Sequence, residues 1–281
     1  MKIGVLSESF RLPMLQAVDQ AAALGLDGLQ IYAVGEELDC GRCNPGTVRE
    51  LRRHIESKGL CVSAVCGDLG GHGFAIEQDN PAKIETSRRI VDLALELSTH
   101  VITTHIGVIP QDTGCRRYAV MQQACAQLSE YAKSVGAVFA IETGPEKAET
   151  LRRFLDSLPQ GGIGVNMDPA NLVMVTDDDP VQAVRTLAPY IVHTHAKDGR
   201  RLRPSDPQTV YDFFAEGGIG DLRLEEYFIE TPLGGGDVDF PAYLNALREI
   251  GYDGFLTIER EVGKDPAADI LHARDFLRQY L

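Results

Sequence analysis

Eight short apolar runs alternate with stretches of helical spacing along the 281 residues of the chain. The runs cover residues 2–7, 27–34, 61–68, 100–107, 138–144, 163–169, 191–198 and 254–261, and each is short and β-prone enough to predict a strand. Between them, Leu15, Val18, Ala22 and Leu24, and later Ile90, Val91, Leu93, Leu95 and Leu97, fall at spacings that put apolar side chains on one helical face. Strands that alternate with helices require crossover connections, and these build a parallel sheet.

Glycines punctuate the same period. Gly25, Gly59, Gly136 and Gly251 each precede a strand, where an ending helix needs a residue that tolerates the left-handed conformation. An open doubly wound sheet would also alternate, but it commonly carries a glycine-rich phosphate loop after its first strand. Here Ser7-Glu8-Ser9-Phe10 stands in that place. The predicted fold is therefore α/β, a single (β/α)8 TIM barrel occupying residues 1–281 as one domain, since α/β barrels of about 250 residues form one unit. One long irregular segment, 199–239, follows the seventh strand. Tyr227-Phe228-Ile229-Glu230 within it reads as a short extra strand and Gly234-Gly235-Gly236 as a turn. Its place after a strand predicts a cover over the catalytic mouth, with an oligomer contact as the alternative role.

Composition narrows the function. The chain is 44% hydrophobic and 24% charged, ordinary for a globular protein with a large core. Its net charge of −14 opposes nucleic-acid backbones and anionic lipid surfaces. The N-terminus lacks a signal-peptide pattern and no apolar stretch approaches the ~18 residues of a membrane span, so a cytoplasmic protein without membrane or nucleic-acid partners is expected. The sequence leaves room for a homo-oligomer. Of six cysteines, Cys61, Cys66 and Cys125 lie in apolar contexts and read as small hydrophobes. Cys40-Gly41-Arg42-Cys43 has redox or zinc spacing but no second pair to complete a zinc site, and reads as incidental.

Chemistry enters at the strand ends. Glu142, Asp168, His195 and Glu259 close four successive predicted strands. A parallel barrel gathers such ends at one mouth, where residues distant in sequence converge. Strand parity agrees: Val138, Ala140 and Glu142 share a face, as do Gly164, Asn166 and Asp168, then His193, His195 and Lys197, then Phe255, Thr257 and Glu259. A lone acid at a strand end is more often a helix cap, but four agreeing in depth and face predict one divalent cation. Three carboxylates and one imidazole make a hard site suited to Mn²⁺ first, with Mg²⁺, Co²⁺ or Zn²⁺ as alternatives.

The runs Ile141-Glu142, Asp168-Pro169-Ala170-Asn171, His193-Thr194-His195-Ala196-Lys197-Asp198 and Thr257-Ile258-Glu259, with Gly236-Asp237-Val238-Asp239-Phe240, resemble the signatures of the xylose isomerase-like barrel superfamily of sugar phosphate isomerases and epimerases. The resemblance spans nearly the whole chain. It implies that Glu142, Asp168, His195 and Glu259 hold one metal. It also implies a sugar, polyol or sugar phosphate substrate. Many relatives carry His where this chain has Asn171, an amide that can still donate a hydrogen bond to substrate.

A cation that chelates a carbonyl and its neighbouring hydroxyl makes the intervening carbon acidic. Glu142 and Glu259, as catalytic residues on opposite sides of the sugar, would then remove and return the proton through an enediolate, giving epimerisation or, on the next carbon, isomerisation. Loss of a β-hydroxyl would instead give a lyase acting on an inosose or keto-glycoside. Less favoured are a nuclease of the endonuclease IV type, which needs a fuller ligand set and a basic surface, and a sugar-binding protein without catalysis. His105 and Lys197 are expected substrate contacts, with Asp198 or Glu230 as alternative ion-pair partners of Lys197. His193 reads as a hydrogen-bonded core histidine and Arg260 as a salt-bridge residue, while Arg200, Arg201 and Arg203 form a small basic cluster able to receive a phosphate.

Overall fold

The computed structural model describes residues 1–35, 38–42 and 44–281; Cys43 of the C-x-x-C motif lies outside them. Eight parallel strands close on themselves: β1 (Lys2–Leu6), β2 (Gly28–Tyr32), β3 (Cys61–Cys66), β4 (Val101–Thr104), β5 (Val138–Glu142), β6 (Ile163–Met167), β7 (Ile191–Ala196) and β10 (Phe255–Ile258). β1 pairs with β10 to seal the cylinder, Lys2 against Phe255 and Val5 against Ile258. This is the (β/α)8 barrel that the alternation predicts, each strand falling within its expected run. The four glycines at helix ends all take positive φ, from +65° at Gly25 to +79° at Gly251.

Helices α1 (Met14–Ala23), α2 (Pro45–Ser57), α3 (Asn80–Glu96), α4 (Arg116–Ser134), α5 (Ala148–Asp156), α7 (Pro180–Leu187), α9 (Phe240–Glu249) and α10 (Pro266–Arg278) wrap the barrel, and α6 (Pro169–Asn171) is one turn at the mouth. Their starts follow from local chemistry. Asn44, Asp179, Asp239 and Asp265 precede a helix-opening proline or phenylalanine-proline pair and accept from the backbone N–H of Gly46, Val181, Ala242 and Ala268. In α5, Leu151, Phe154 and Leu155 are buried, the stripe of an amphipathic helix. α1 corrects the expected face: Ala17, Val18 and Ala21 are buried, whereas Leu15 is 54% exposed. The helix sits one small-residue stripe against the sheet, which leaves the larger leucine outside. Cys61, expected in the core, is exposed at the first residue of β3, while Cys66 and Cys125 are buried.

Segment 199–239 is more ordered than its composition suggests. β8 (Asp198–Arg201) and β9 (Phe228–Thr231) form an antiparallel hairpin outside the barrel, and α8 (Pro207–Glu216) lies between them. Asp206 caps α8 through the Thr209 N–H and Gly217 ends it at φ +71°. Val210 and Leu224 pack with Ala170, Met174 and Val175 into a small separate cluster against which Phe213 and Phe228 rest. Asp198 anchors the hairpin to the following turn: its carboxylate accepts from Gly199, Gly234, Gly236 and Val238 N–H at 2.9–3.2 Å. A Cβ at Gly236 would stand 2.1 Å from Asp198 Oδ1, so the wrap closes only around glycine.

Replacing Asp198 with Ala orphans four amides and removes a carboxylate that serves them all. We expect a loss of about 2–4 kcal/mol in denaturant unfolding. Faster amide exchange should be confined to 198–201 and 228–238, with β1–β7 still protected, as hydrogen-exchange mass spectrometry would read.

Candidate metal centre and active-site cavity

The mouth is built from the ends of four neighbouring strands. Glu142 is the last residue of β5, Asp168 follows β6, His195 lies in β7 and Glu259 follows β10. None is more than 7% exposed. His195 Nδ1 lies 3.0 Å from Glu259 Oε2, 3.3 Å from Asp168 Oδ2 and 3.6 Å from Glu142 Oε1. One ligand atom from each of the four falls within 4.8 Å of the others. Asp168 serves twice: Oδ1 caps α6 by accepting from Asn171 N–H at 2.8 Å, and Oδ2 faces His195.

Beneath the four, a polar layer fixes their orientation. Gln30 Nε2 donates to Thr103 Oγ1 at 3.0 Å, which turns Gln30 Oε1 toward His195 Nε2, also at 3.0 Å. A proton on His195 Nε2 serves Gln30 Oε1 and leaves Nδ1 facing the carboxylates, as in a metal-ligating imidazole, although the Asn166 amide nitrogen also lies 3.1 Å from Nε2. Asn166 Nδ2 donates to Glu142 Oε2 at 3.0 Å, and its Oδ1 accepts from His193 Nδ1 at 2.9 Å. Thr257 Oγ1 closes the chain on His193 Nε2 at 3.0 Å. Burial, followed by the nearby His195, holds His193 well below the usual imidazole range, so it is a neutral core residue. Gln30, a lone amide inside an apolar strand, escaped the sequence reading, and Asn166, placed by parity on one face with Asp168, was given no role by it.

Electrostatics show what the cluster lacks. Burial works against the His195 imidazolium, but Glu142 and Glu259 outweigh it and push its pKa well above the ordinary value. Burial likewise raises Glu259, yet Lys197 and His195 prevail and hold it at about 2. Glu142 is lowered because His195 and His105 overcome its burial. A proton on His195 thus neutralises part of a three-carboxylate cluster. Glu259 Oε2 is left buried without a well-directed hydrogen bond, despite Lys197 Nζ at 3.2 Å. Three hard oxygens and one imidazole nitrogen aimed at a common point, with an oxygen still unserved, fit a divalent cation.

The remaining expected site residues also line this cavity, which has a volume of about 670 Å³. His105 Nδ1 is 3.1 Å from Asp68 Oδ2 and its Nε2 is 3.7 Å from Glu142 Oε1. Burial opposes its charge, but Glu142 and Asp68 raise its pKa to about 10. Asn171 Nδ2 donates to Glu142 Oε1 at 3.1 Å. Lys197 pairs with Glu259 and with Glu261 at 3.3 Å. This corrects the alternative partners: Asp198 is taken by four amides and Glu230 by Arg260, 2.5 Å away. Arg260 also reaches Asp269 at 2.9 Å, a salt-bridge role. The basic cluster is dispersed, Arg200 to Gly235 O, Arg201 to Asp177 and Arg203 to Glu226, and none of the three lines the cavity. Phe213, Phe214, Phe228 and Ile229 of the long segment do line it, giving an apolar outer wall over a polar floor.

Glu259→Gln and His195→Asn should each weaken Mn²⁺ binding by about 100-fold or more, and Gln30→Leu by about 10- to 100-fold, read by calorimetric titration. Affinity should also fall as the pH is lowered. The metal must displace a proton from His195, whose pKa in the metal-free protein is raised, so every added proton competes with the ion.

The comparisons agree with this architecture. Residues 18–280 match the family model described as xylose isomerase-like TIM barrel. An uncharacterised protein of Methanocaldococcus jannaschii is 25% identical over 295 aligned positions, covering 100% of this chain and 89% of the relative. The crystal structure of a xylose isomerase domain protein from Planctomyces limnophilus superposes with a TM-score of 0.80 at 24% identity, over 99% of this chain and 96% of the other. That of D-psicose 3-epimerase with D-tagatose, from Clostridium cellulolyticum H10, gives 0.74 at 16% identity, over 100% and 99%. No helix among the described residues is long and apolar enough to cross a membrane. The chain belongs to the xylose isomerase-like TIM barrel family.

Proposed function

We propose that the protein is a divalent-metal-dependent isomerase or epimerase of a small keto sugar, polyol or sugar phosphate. The observation that carries this reading is the convergence of Glu142, Asp168, His195 and Glu259 at the floor of a cavity large enough for a sugar. These four would hold the ion, Mn²⁺ in the first instance. A bound divalent cation supplies polarisation of a carbonyl and its adjacent hydroxyl, lowering the pKa of the carbon between them.

The protein's own groups then account for proton movement. Glu142 on β5 and Glu259 beyond β10 stand on strands separated by β6 and β7, so they can address a substrate from different sides. Both are lowered in pKa and ionised at neutral pH, ready to accept a proton rather than donate one. A carboxylate held this low is a weak base, so it requires a strongly activated carbon acid. Lys197 and His105, both cationic, stand beside Glu259 and Glu142 and offer charge to a developing enediolate oxygen. Asn171 fixes the Glu142 carboxylate through Oε1, while Asn166 holds Oε2. Phe213, Phe214 and Phe228 of the long segment add apolar surface to the cavity lining.

A dehydratase of an inosose or keto-glycoside is the second reading, favoured by His105 on the cavity lining, whose raised pKa offers an acid for a leaving hydroxyl. A nuclease reading finds little support. Among the described residues one group alone is arranged for a metal, and the chain's charge is −14.

With Mn²⁺ bound, incubation with a panel of ketoses in deuterated water should place deuterium on the carbon beside the carbonyl of at least one sugar, visible by NMR. Glu142→Gln and Glu259→Gln should each slow that exchange by about 10²- to 10⁴-fold. Loss of water in place of label on a retained skeleton would select the dehydratase. No exchange and no elimination on any ketose or inosose, with Mn²⁺, Mg²⁺ or Co²⁺, would refute the enzymatic reading.

A further inference from the structure

Burial divides the metal cavity into two chemically different ends. Gln30, Glu142, His195 and Glu259 on its lining are 7% exposed or less and form the floor. Phe214, Ile229 and Val262 on the same lining are 64%, 39% and 49% exposed and stand at the rim. Large apolar side chains left in water beside a polar site mark surface that a ligand covers. Phe213 and Phe214 meet edge to face on α8, ring centroids 5.8 Å apart, and Phe228 lies on β9. Phe213 and Phe228 rest on the small cluster of Met174, Val210 and Leu224, so this wall is held in place before anything binds.

Charge on the lining narrows what can bind. Six carboxylates, Asp68, Glu142, Glu225, Glu230, Glu259 and Glu261, line the cavity with Lys197, His105 and His195 as its basic groups. Lys197 lies between Glu259 and Glu261, His105 between Asp68 and Glu142, and His195 among the metal-site carboxylates. No arginine lines the cavity among the described residues, and each basic group already faces carboxylates, so a phosphate finds no free cation there. The rim acids are also matched, Glu225 by Arg223, Glu230 by Arg260 and Glu261 by Lys197, so an ammonium group gains little. At about 670 Å³ the space falls within the roughly 300–1,000 Å³ of cavities that enclose drug-sized ligands, and a free hexose of about a dozen non-hydrogen atoms fills only part of it.

We propose that the substrate is an unphosphorylated keto-glycoside with an uncharged apolar substituent, its sugar on the metal floor and its substituent against Phe213, Phe214 and Phe228. A glycosidic bond at the carbonyl carbon of a simple ketose consumes the carbonyl, so a substrate with both features carries its ketone on another ring carbon. The inference rests on the metal-dependent carbon-acid chemistry proposed above, and it makes the three phenylalanines specificity-determining residues.

Calorimetry on the full-length, Mn²⁺-loaded protein tests it with α and β phenyl and methyl glycosides of 3-keto-glucose and 3-keto-galactose, and with the 6-phosphates of the methyl compounds. A phenyl glycoside should bind about tenfold or more tightly than its methyl counterpart, and the 6-phosphates no more tightly than the unphosphorylated forms. Phe214→Ala and Phe228→Ala should each cut the phenyl-to-methyl ratio by about threefold or more with Mn²⁺ affinity kept; Phe214 is exposed enough that its loss spares the fold. Equal affinity for phenyl and methyl forms, a preference that neither variant alters, tighter binding of a 6-phosphate, or no binding of any phenyl glycoside overturns the proposal. Deuterium exchange beside the ketone, followed on the same compounds, reports the chemistry separately. Exchange without a phenyl preference overturns the substituent assignment alone, whereas a phenyl preference without exchange or elimination keeps the ligand class and refutes the chemistry.

Discussion

Three carboxylates share one buried mouth with a single imidazole, and the mutual repulsion of those charges is the constraint around which the barrel's upper half is organised. Removing such groups from water costs several kcal/mol per ion unless opposite charge is brought close. Lys197, His105 and a proton on His195 supply part of that charge, and the geometry of Glu142, Asp168, His195 and Glu259 fits a cation that would supply the rest. The same constraint explains why the interior of this barrel is polar where many are aliphatic. Gln30, Thr103, Asn166, His193 and Thr257 form a hydrogen-bonded floor whose members each set the direction of a neighbour. A floor of leucines would fill the volume but would leave His195 free to rotate and Glu142 free to turn away.

The segment after β7 solves a different problem. The proposed carbon-acid chemistry would need bulk water held back, and strands alone leave the mouth open. The hairpin of β8 and β9 with α8 brings its own small core, and the Asp198 carboxylate ties the start of β8 to the turn at 234–238. Its aromatic side chains line the cavity above the four-residue cluster.

Much of this was legible in the sequence because it follows from short-range rules. Strand parity put Glu142, Asp168, His195 and Glu259 on inward faces, and helix-end glycines marked the period. What escaped was set by tertiary contact. α8 carries a readable start at Asp206-Pro207, but Phe213 and Phe214 gain a reason to face the mouth only once the hairpin has folded back. Gln30 looks like an unremarkable amide in an apolar strand until closure of the barrel brings β2 across from β7. The partners of Lys197 depended on Asp198 and Glu230 being committed elsewhere, to backbone amides and to Arg260, and no spacing rule expresses that competition. Asp168 shows why single-residue expectations mislead: it is both the helix cap that base rates favour and a member of the cluster, one oxygen for each.

The most direct measurement is an anomalous diffraction map of Mn²⁺-soaked crystals recorded at the manganese edge. A single strong peak within about 2.0–2.4 Å of Glu142, Asp168 and Glu259 oxygens and of His195 Nδ1 is the result this structure predicts. Absence of a peak at that point from crystals saturated with Mn²⁺, or an ion bound with His195 turned away through its other nitrogen, would contradict it.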